Sequence, residues 1–130
     1  MKLEGKAQVL RVYIGSLDKH GHTPLYESIV LEAKKFGIAG ASVFRGVLAY
    51  GANSMLHSAK IWELSADLPL IIEMVDDKDK IISFIEHITE MYDEEHFGGL
   101  ITTYEVDVIR YKGHKDGKKD KKYKSENTEG

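Results

Sequence analysis

The hydrophobic pattern of this chain switches repeatedly between two periods, and that alternation limits its possible folds more than any other feature. Short runs of apolar, β-branched and aromatic residues read as strands, and apolar residues recurring three and four apart read as one face of a helix. Residues 7–15, AQVLRVYIG, are rich in Val, Ile, Leu and Tyr and stop at glycine, which predicts a strand. SLDKHGHT follows as a loop. Thr23 then offers an N-cap and Pro24 the first helical position, where a missing N–H costs nothing. Leu25, Ile29, Ala33 and Phe36 line one face and Gly37 suits the C-terminal cap, so the spacing predicts a helix over 24–36.

Residues 40–51, GASVFRGVLAYG, predict a second strand. Residues 59–76 read as strand, a break near SADLP, then strand, with Pro69 marking an edge or a bulge because it donates nothing to a ladder. The cluster DDKDK sets acids at the positive end of a second helix, whose stripe is Ile81, Phe84, Ile85, Ile88 and Met91. DEEHFGG ends that helix, and residues 100–111 form the last strand.

The order β-α-β-β-α-β is that of the α+β ferredoxin-like fold: a four-stranded antiparallel sheet with two helices on one face. The other face is left bare. Runs such as VLRVYIG and LIIEMV are apolar on both sides in places, and large exposed apolar patches are rare on monomers, so a homo-oligomer is expected.

Charge and composition narrow the function. Residues 112–130 carry seven lysines against four acids, a net +3, while the rest of the chain has 11 basic and 17 acidic residues, a net −6. An acidic body argues against nucleic-acid binding, which needs clustered Lys and Arg. The tail has one aromatic and no aliphatic side chain. It is expected to be disordered, leaving 1–112 as the folded domain and 113–130 as a basic tail. There is no cysteine, which excludes disulfides, zinc–thiolate sites and cysteine nucleophiles. No run approaches the roughly 18 apolar residues of a membrane span. MKLEGKAQVL lacks the apolar core of a signal peptide, so a cytoplasmic location is expected.

Several residues carry candidate chemistry. The stretch AYGANSMLHSA, residues 49–59, is too long for a tight hairpin turn and holds Ser54, His57 and Ser58. No nucleophile elbow and no well-placed acid accompany them, so Ser–His catalysis is not expected and His57 is read as contacting a ligand or partner. Gly98-Gly99 is either a plain helix-to-strand connection or an anion-binding concavity of backbone N–H groups. In the second case Gly51, Gly98, Gly99 and Arg110 converge in a cleft, with Arg110 supplying forked donors. His20 and His22, near Asp18, have the residue types for a metal site but no cysteine beside them. The acids Glu63, Asp67 and those of DDKDK and DEEH fit solvated faces and a helix start better than paired catalytic carboxylates. Trp62 fits a core or subunit interface. Arg45 either pairs across an interface or points to solvent.

The combination PLYESIV, GASVFRG and LPLIIE, with LRVYIG and the closing EVDVIRY, resembles a widespread prokaryotic family of PII-like proteins known as a domain of unknown function. The resemblance spans roughly residues 8–112. It implies ferredoxin-like subunits in a homotrimer, related to the nitrogen-regulatory PII proteins, acting as sensors or regulators without being enzymes. It also implies a small anionic ligand, with an adenine nucleotide first among the candidates, held in clefts between subunits. Ala49, Tyr50 and Gly51 fall where PII proteins enter their signalling loop, and Asn53 to Ser58 follow into it. Gly98 and Gly99 match the glycine turn before the last strand, and Arg110 lies near that strand's end. PII proteins follow those glycines with a lysine; Leu100 stands here, which removes a phosphate contact. The expected site residues are therefore Tyr50, Gly51, Asn53, His57, Gly98, Gly99 and Arg110. A membrane transporter as partner is implied by the resemblance alone. The alternative function is a divalent-metal-responsive trimer of the same fold, using His20, His22 or His57.

Overall fold

In the computed structural model, residues 3–50, 56–58, 68–92 and 99–113 are described. A four-stranded antiparallel sheet is built from β1 (Gly5–Gly15), β4 (Ala41–Arg45), β7 (Pro69–Asp76) and β8 (Leu100–Val108), in the spatial order β4-β7-β1-β8. The two helices, α1 (Leu25–Phe36) and α2 (Lys78–Met91), pack on one face. Short antiparallel pairs are added by β2 (Lys19–His20) with β3 (Thr23–Pro24), and by β5 (Leu48–Tyr50) with β6 (Leu56–Ser58). The expected ferredoxin-like fold is the observed one.

Alternation on the strands builds the core. Leu10, Val12 and Ile14 of β1 and Leu70, Ile72 and Met74 of β7 face the helices. Leu25, Ile29 and Ala33 from α1 and Ile81, Phe84 and Ile88 from α2 meet them. Phe36 and Phe84 join the two helices edge to face, with ring centroids 5.3 Å apart. Met91, expected on the buried stripe, is exposed, and the next residue, Tyr92, is buried in its place.

Several sequence-based boundaries are corrected. Pro24, not Thr23, is the N-cap residue of α1, and no side chain caps it. Thr23 and Pro24 are instead drawn into the pair with β2, and the Leu25 N–H donates to the Asp18 carbonyl at 2.7 Å. Gly37 takes the left-handed conformation expected of it, at φ 90°. Pro69 lies neither on an edge strand nor in a bulge. It is the first residue of the interior strand β7, where its carbonyl accepts the Gly46 N–H at 2.7 Å. The expected strand 40–51 is interrupted at Gly46 and Val47, so β4 stays in the main sheet while β5 pairs only with β6. Residues 59–67, which hold the expected strand start, Trp62, Glu63 and Asp67, lie outside the described residues, as do 114–130 of the basic tail.

Candidate functional site

The two ends of the sheet carry different groups. β4 runs parallel to β1 and antiparallel to β7, and β8 is antiparallel to β1. The end of β1, the end of β4 and the starts of β7 and β8 therefore meet at one end, with the β5–β6 pair rooted just beyond Arg45. The Asp18 carboxylate accepts the Gly15 N–H at 2.9 Å and shapes the turn after β1. Ser16 is tied to Leu68 twice: its N–H donates to the Leu68 carbonyl at 2.8 Å, and its Oγ accepts the Leu68 N–H at 3.0 Å. Leu17, Val47 and Leu100 are exposed at this end.

Gly99 lies here, and its backbone has a packing reason to lack a side chain. A Cβ on Gly99 would stand 1.9 Å from the Tyr13 carbonyl oxygen and 3.2 Å from Ile14 Cγ2. Close approach of β8 to β1 thus demands glycine before any ligand is considered. Leu100 pairs with Tyr13 in the ladder and is exposed.

His57 and Tyr50 belong to the β5–β6 pair. His57 stands opposite Ala49 and Tyr50 opposite Leu56, so residues 56–58 form a strand where an open loop was expected. The alternating segments on either side of 51–55 satisfy each other's backbone groups, which a run read one strand at a time does not reveal. Gly51, Asn53, Ser54 and Gly98 lie outside the described residues.

Arg110 lies at the opposite end. β8 spans nine residues, about 30 Å at ~3.4 Å per residue, with Gly99 just before it and Arg110 beyond its close. One copy of the chain therefore does not bring Gly99 and Arg110 together. Arg110 is exposed, and among the described residues no group pairs with it. Near it the Asp76 carboxylate is fully buried and accepts the N–H groups of Ala39 at 2.9 Å and Asp77 at 2.7 Å.

The face of the sheet away from the helices is open. Phe44, Leu100 and Tyr104 on it are 50%, 55% and 42% exposed. At its centre Arg11 Nε donates to Glu73 at 2.8 Å, and its guanidinium lies 5.5 Å from the centre of the Tyr104 ring. Hydrogen bonding to Tyr13, and then to Glu73, raises the Arg11 pKa further and keeps it charged. The sequence reading passed over this pair. Its signal was present, because Arg11 and Glu73 interrupt two apolar runs at positions that the antiparallel register sets opposite each other.

Between the helices lies a second polar group. Tyr92 and Ser28 share a hydrogen bond through their hydroxyls, and His20 meets the Tyr92 ring edge-on at 4.8 Å. Burial pushes the Tyr92 phenol up. His87 Nε2 pairs with Glu32 at 2.7 Å. Among the described residues no group of three or more His, Cys, Asp and Glu is placed to hold a metal ion. Arg45 is exposed in the single chain.

A four-stranded antiparallel sheet with two helices on one face and its other face open defines the class: an α+β ferredoxin-like protein. The chain belongs to the DUF190 family, described as "Uncharacterized ACR, COG1993", whose profile matches residues 7–108. A UPF0166 protein of Aquifex aeolicus is 32% identical over 104 residues, covering 80% of this chain and 94% of that one. One of Methanocaldococcus jannaschii is 33% identical over 108 residues, covering 83% and 94%. Among solved structures, CPII of Thiomonas intermedia K12 bound to ADP and bicarbonate superposes with a TM-score of 0.60 at 12% identity, over 81% of this chain and 90% of that chain. The divalent ion tolerance protein CutA1 of Ehrlichia chaffeensis has a TM-score of 0.50 at 11% identity, over 90% of each chain. At these identities the likeness concerns the fold.

Proposed function

We propose that this protein is a regulatory or sensor protein that binds a small anionic ligand, an adenine nucleotide in the first instance, in clefts between copies of the chain. The observation that carries the reading is the separation of Gly99 and Arg110 to opposite ends of β8, which leaves neither half of the site complete in one copy. In this reading a neighbouring copy supplies the missing half. The open face, with Phe44, Leu100 and Tyr104 exposed, gives such copies an apolar surface to bury. The likeness in fold to CPII, solved with ADP and bicarbonate, supports a nucleotide.

In this reading Arg110 supplies charge-assisted, forked hydrogen bonds to the anion. Tyr50, Gly51, Asn53 and His57 form the responsive element, the β5–β6 pair and the residues that join its strands. Ligand binding shifts that element between two arrangements for which the ligand has different affinity, and a partner, a membrane transporter in the first instance, senses the result. Leu100 contributes no charge, so the phosphate contacts fall to backbone N–H groups and Arg110. No helix among the described residues is long and apolar enough to cross a membrane, and such a partner would be met at the membrane surface. The metal-responsive alternative rests on the likeness in fold to CutA1, with His20, His22 or His57 as ligands.

Calorimetry with ADP, AMP and ATP, paired with light scattering, tests the proposal. Binding by an oligomer that Arg110→Ala measurably weakens supports it. A clean monomer, or absence of heat and of thermal shift with all three nucleotides, refutes it.

A further inference from the structure

The segment after β8 leaves the sheet at one edge and is tied down at the other. Val108 ends β8, an edge strand, while Ala39 lies just before β4, the opposite edge strand. Yet the Tyr111 hydroxyl donates to the Ala39 carbonyl at 2.7 Å. The chain after β8, with the Tyr111 side chain at its end, therefore forms a strap that reaches the α1–β4 connection. Burial of the strap's first side chain does not hold it there, because Ile109 is 87% exposed.

The seat on which the strap lands is rigid. Ala39 is gripped at both of its backbone polar groups, its carbonyl by Tyr111 and its N–H by the fully buried Asp76 carboxylate at 2.9 Å. The second Asp76 oxygen accepts the Asp77 N–H at 2.7 Å, which fixes the carboxylate to the N-cap residue of α2. Lys80 of α2 donates to the Gly37 carbonyl at 2.6 Å and stands 3.9 Å from Asp76. The loop between α1 and β4 is thus pinned to α2 through Lys80 and to the end of β7 through Asp76. Arg110 is the residue of the strap immediately before the latch.

We propose that Asp76 and Tyr111 are positioning residues for the anion site: the Tyr111–Ala39–Asp76 chain fixes the backbone from which the Arg110 side chain leaves. The inference rests on the reading of Arg110 as a ligand contact, and it adds the parts that hold Arg110 ready. A strap held in place loses little further freedom when the guanidinium meets its ligand; a strap cut loose must be ordered at that moment.

The test uses the full chain, ADP as the probe, and Tyr111→Phe, which keeps the ring and removes only the donor. Amide relaxation is measured first without ligand. Order parameters for residues 109–113 are expected to fall from rigid values toward about 0.6 or below in Tyr111→Phe, with the sheet unchanged. Affinity for ADP is expected to fall about 5-fold, the worth of one ordinary hydrogen bond, and further in Tyr111→Ala. In an Arg110→Ala background Tyr111→Phe should change the residual affinity no further, since its effect passes through Arg110. Unchanged order parameters overturn the latch. An additive loss in the double variant overturns the positioning role. If the wild type takes up no ADP, the cleft reading falls, and the relaxation data still decide whether the latch exists.

Discussion

Replacing Gly99 by alanine separates packing from ligand binding at the residue where the two readings overlap. The added Cβ would lie 1.9 Å from the Tyr13 carbonyl oxygen, 3.0 Å from the Tyr13 carbonyl carbon and 3.2 Å from Ile14 Cγ2. A carbon and a carbonyl oxygen that are not bonded to each other rest near 3.5 Å, so about 1.5 Å must be found. Tyr13 cannot swing away, because its carbonyl belongs to β1, an interior strand paired with β7 and β8 on either side. The start of β8 must then lift off, at the point where Leu100 pairs with Tyr13. Overpacking against backbone of this kind costs about 3 kcal/mol, the upper end of the range for inserted methyl groups. For a domain near 100 residues that lowers the melting temperature by roughly 10–20 °C. Urea denaturation at one protein concentration measures it, with Gly40→Ala as the control, since a Cβ on Gly40 meets nothing within 4 Å. If Gly99→Ala unfolds at the same urea concentration as the control, the close approach is not a constraint and the glycine is there for another reason.

Other substitutions test the rest of the architecture. Phe84→Ala removes a fully buried ring and its edge-to-face contact with Phe36, and should lower unfolding free energy by about 3–5 kcal/mol in denaturant titration. Arg11→Ala should leave the stability of an isolated subunit nearly unchanged, because the pair with Glu73 is partly exposed. It should weaken association much more if a second copy covers that face, because Glu73 would be buried unpaired; light scattering across a dilution series reads this, and an unaltered dissociation curve counts against burial of the face. Tyr92 gives a pH signature. Its phenol is raised by burial, so the unfolded chain loses that proton first, and the contribution to stability is full below about pH 10 and is lost as pH rises through the elevated folded value. Tyr92→Phe should flatten this alkaline decline in denaturation midpoints between about pH 9 and 11.

The proposed anion site is legible in part. Glycine beside glycine and an arginine after the last strand mark the proposed contacts, but a linear pattern carries no record of which end of a strand a residue occupies. The antiparallel pairing sends Gly99 and Arg110 to opposite ends, and it also sets Glu73 across from Arg11. His57 is expected in a loop because 56–58 falls below the length at which period alone identifies a strand, while its partner 48–50 lies inside the expected strand 40–51.

By itself the sequence determined the order of elements, the two helices and the face of each that enters the core, because these follow from local period and from punctuation by Pro24, Gly37 and the acids before α2. Where the chain breaks between β4 and β5, why Gly99 tolerates no side chain, and how Asp76 and Tyr111 grip Ala39 were decided only in three dimensions. Each of these depends on backbone groups far apart in sequence finding partners, and a residue's own identity does not state which carbonyl will stand in front of it.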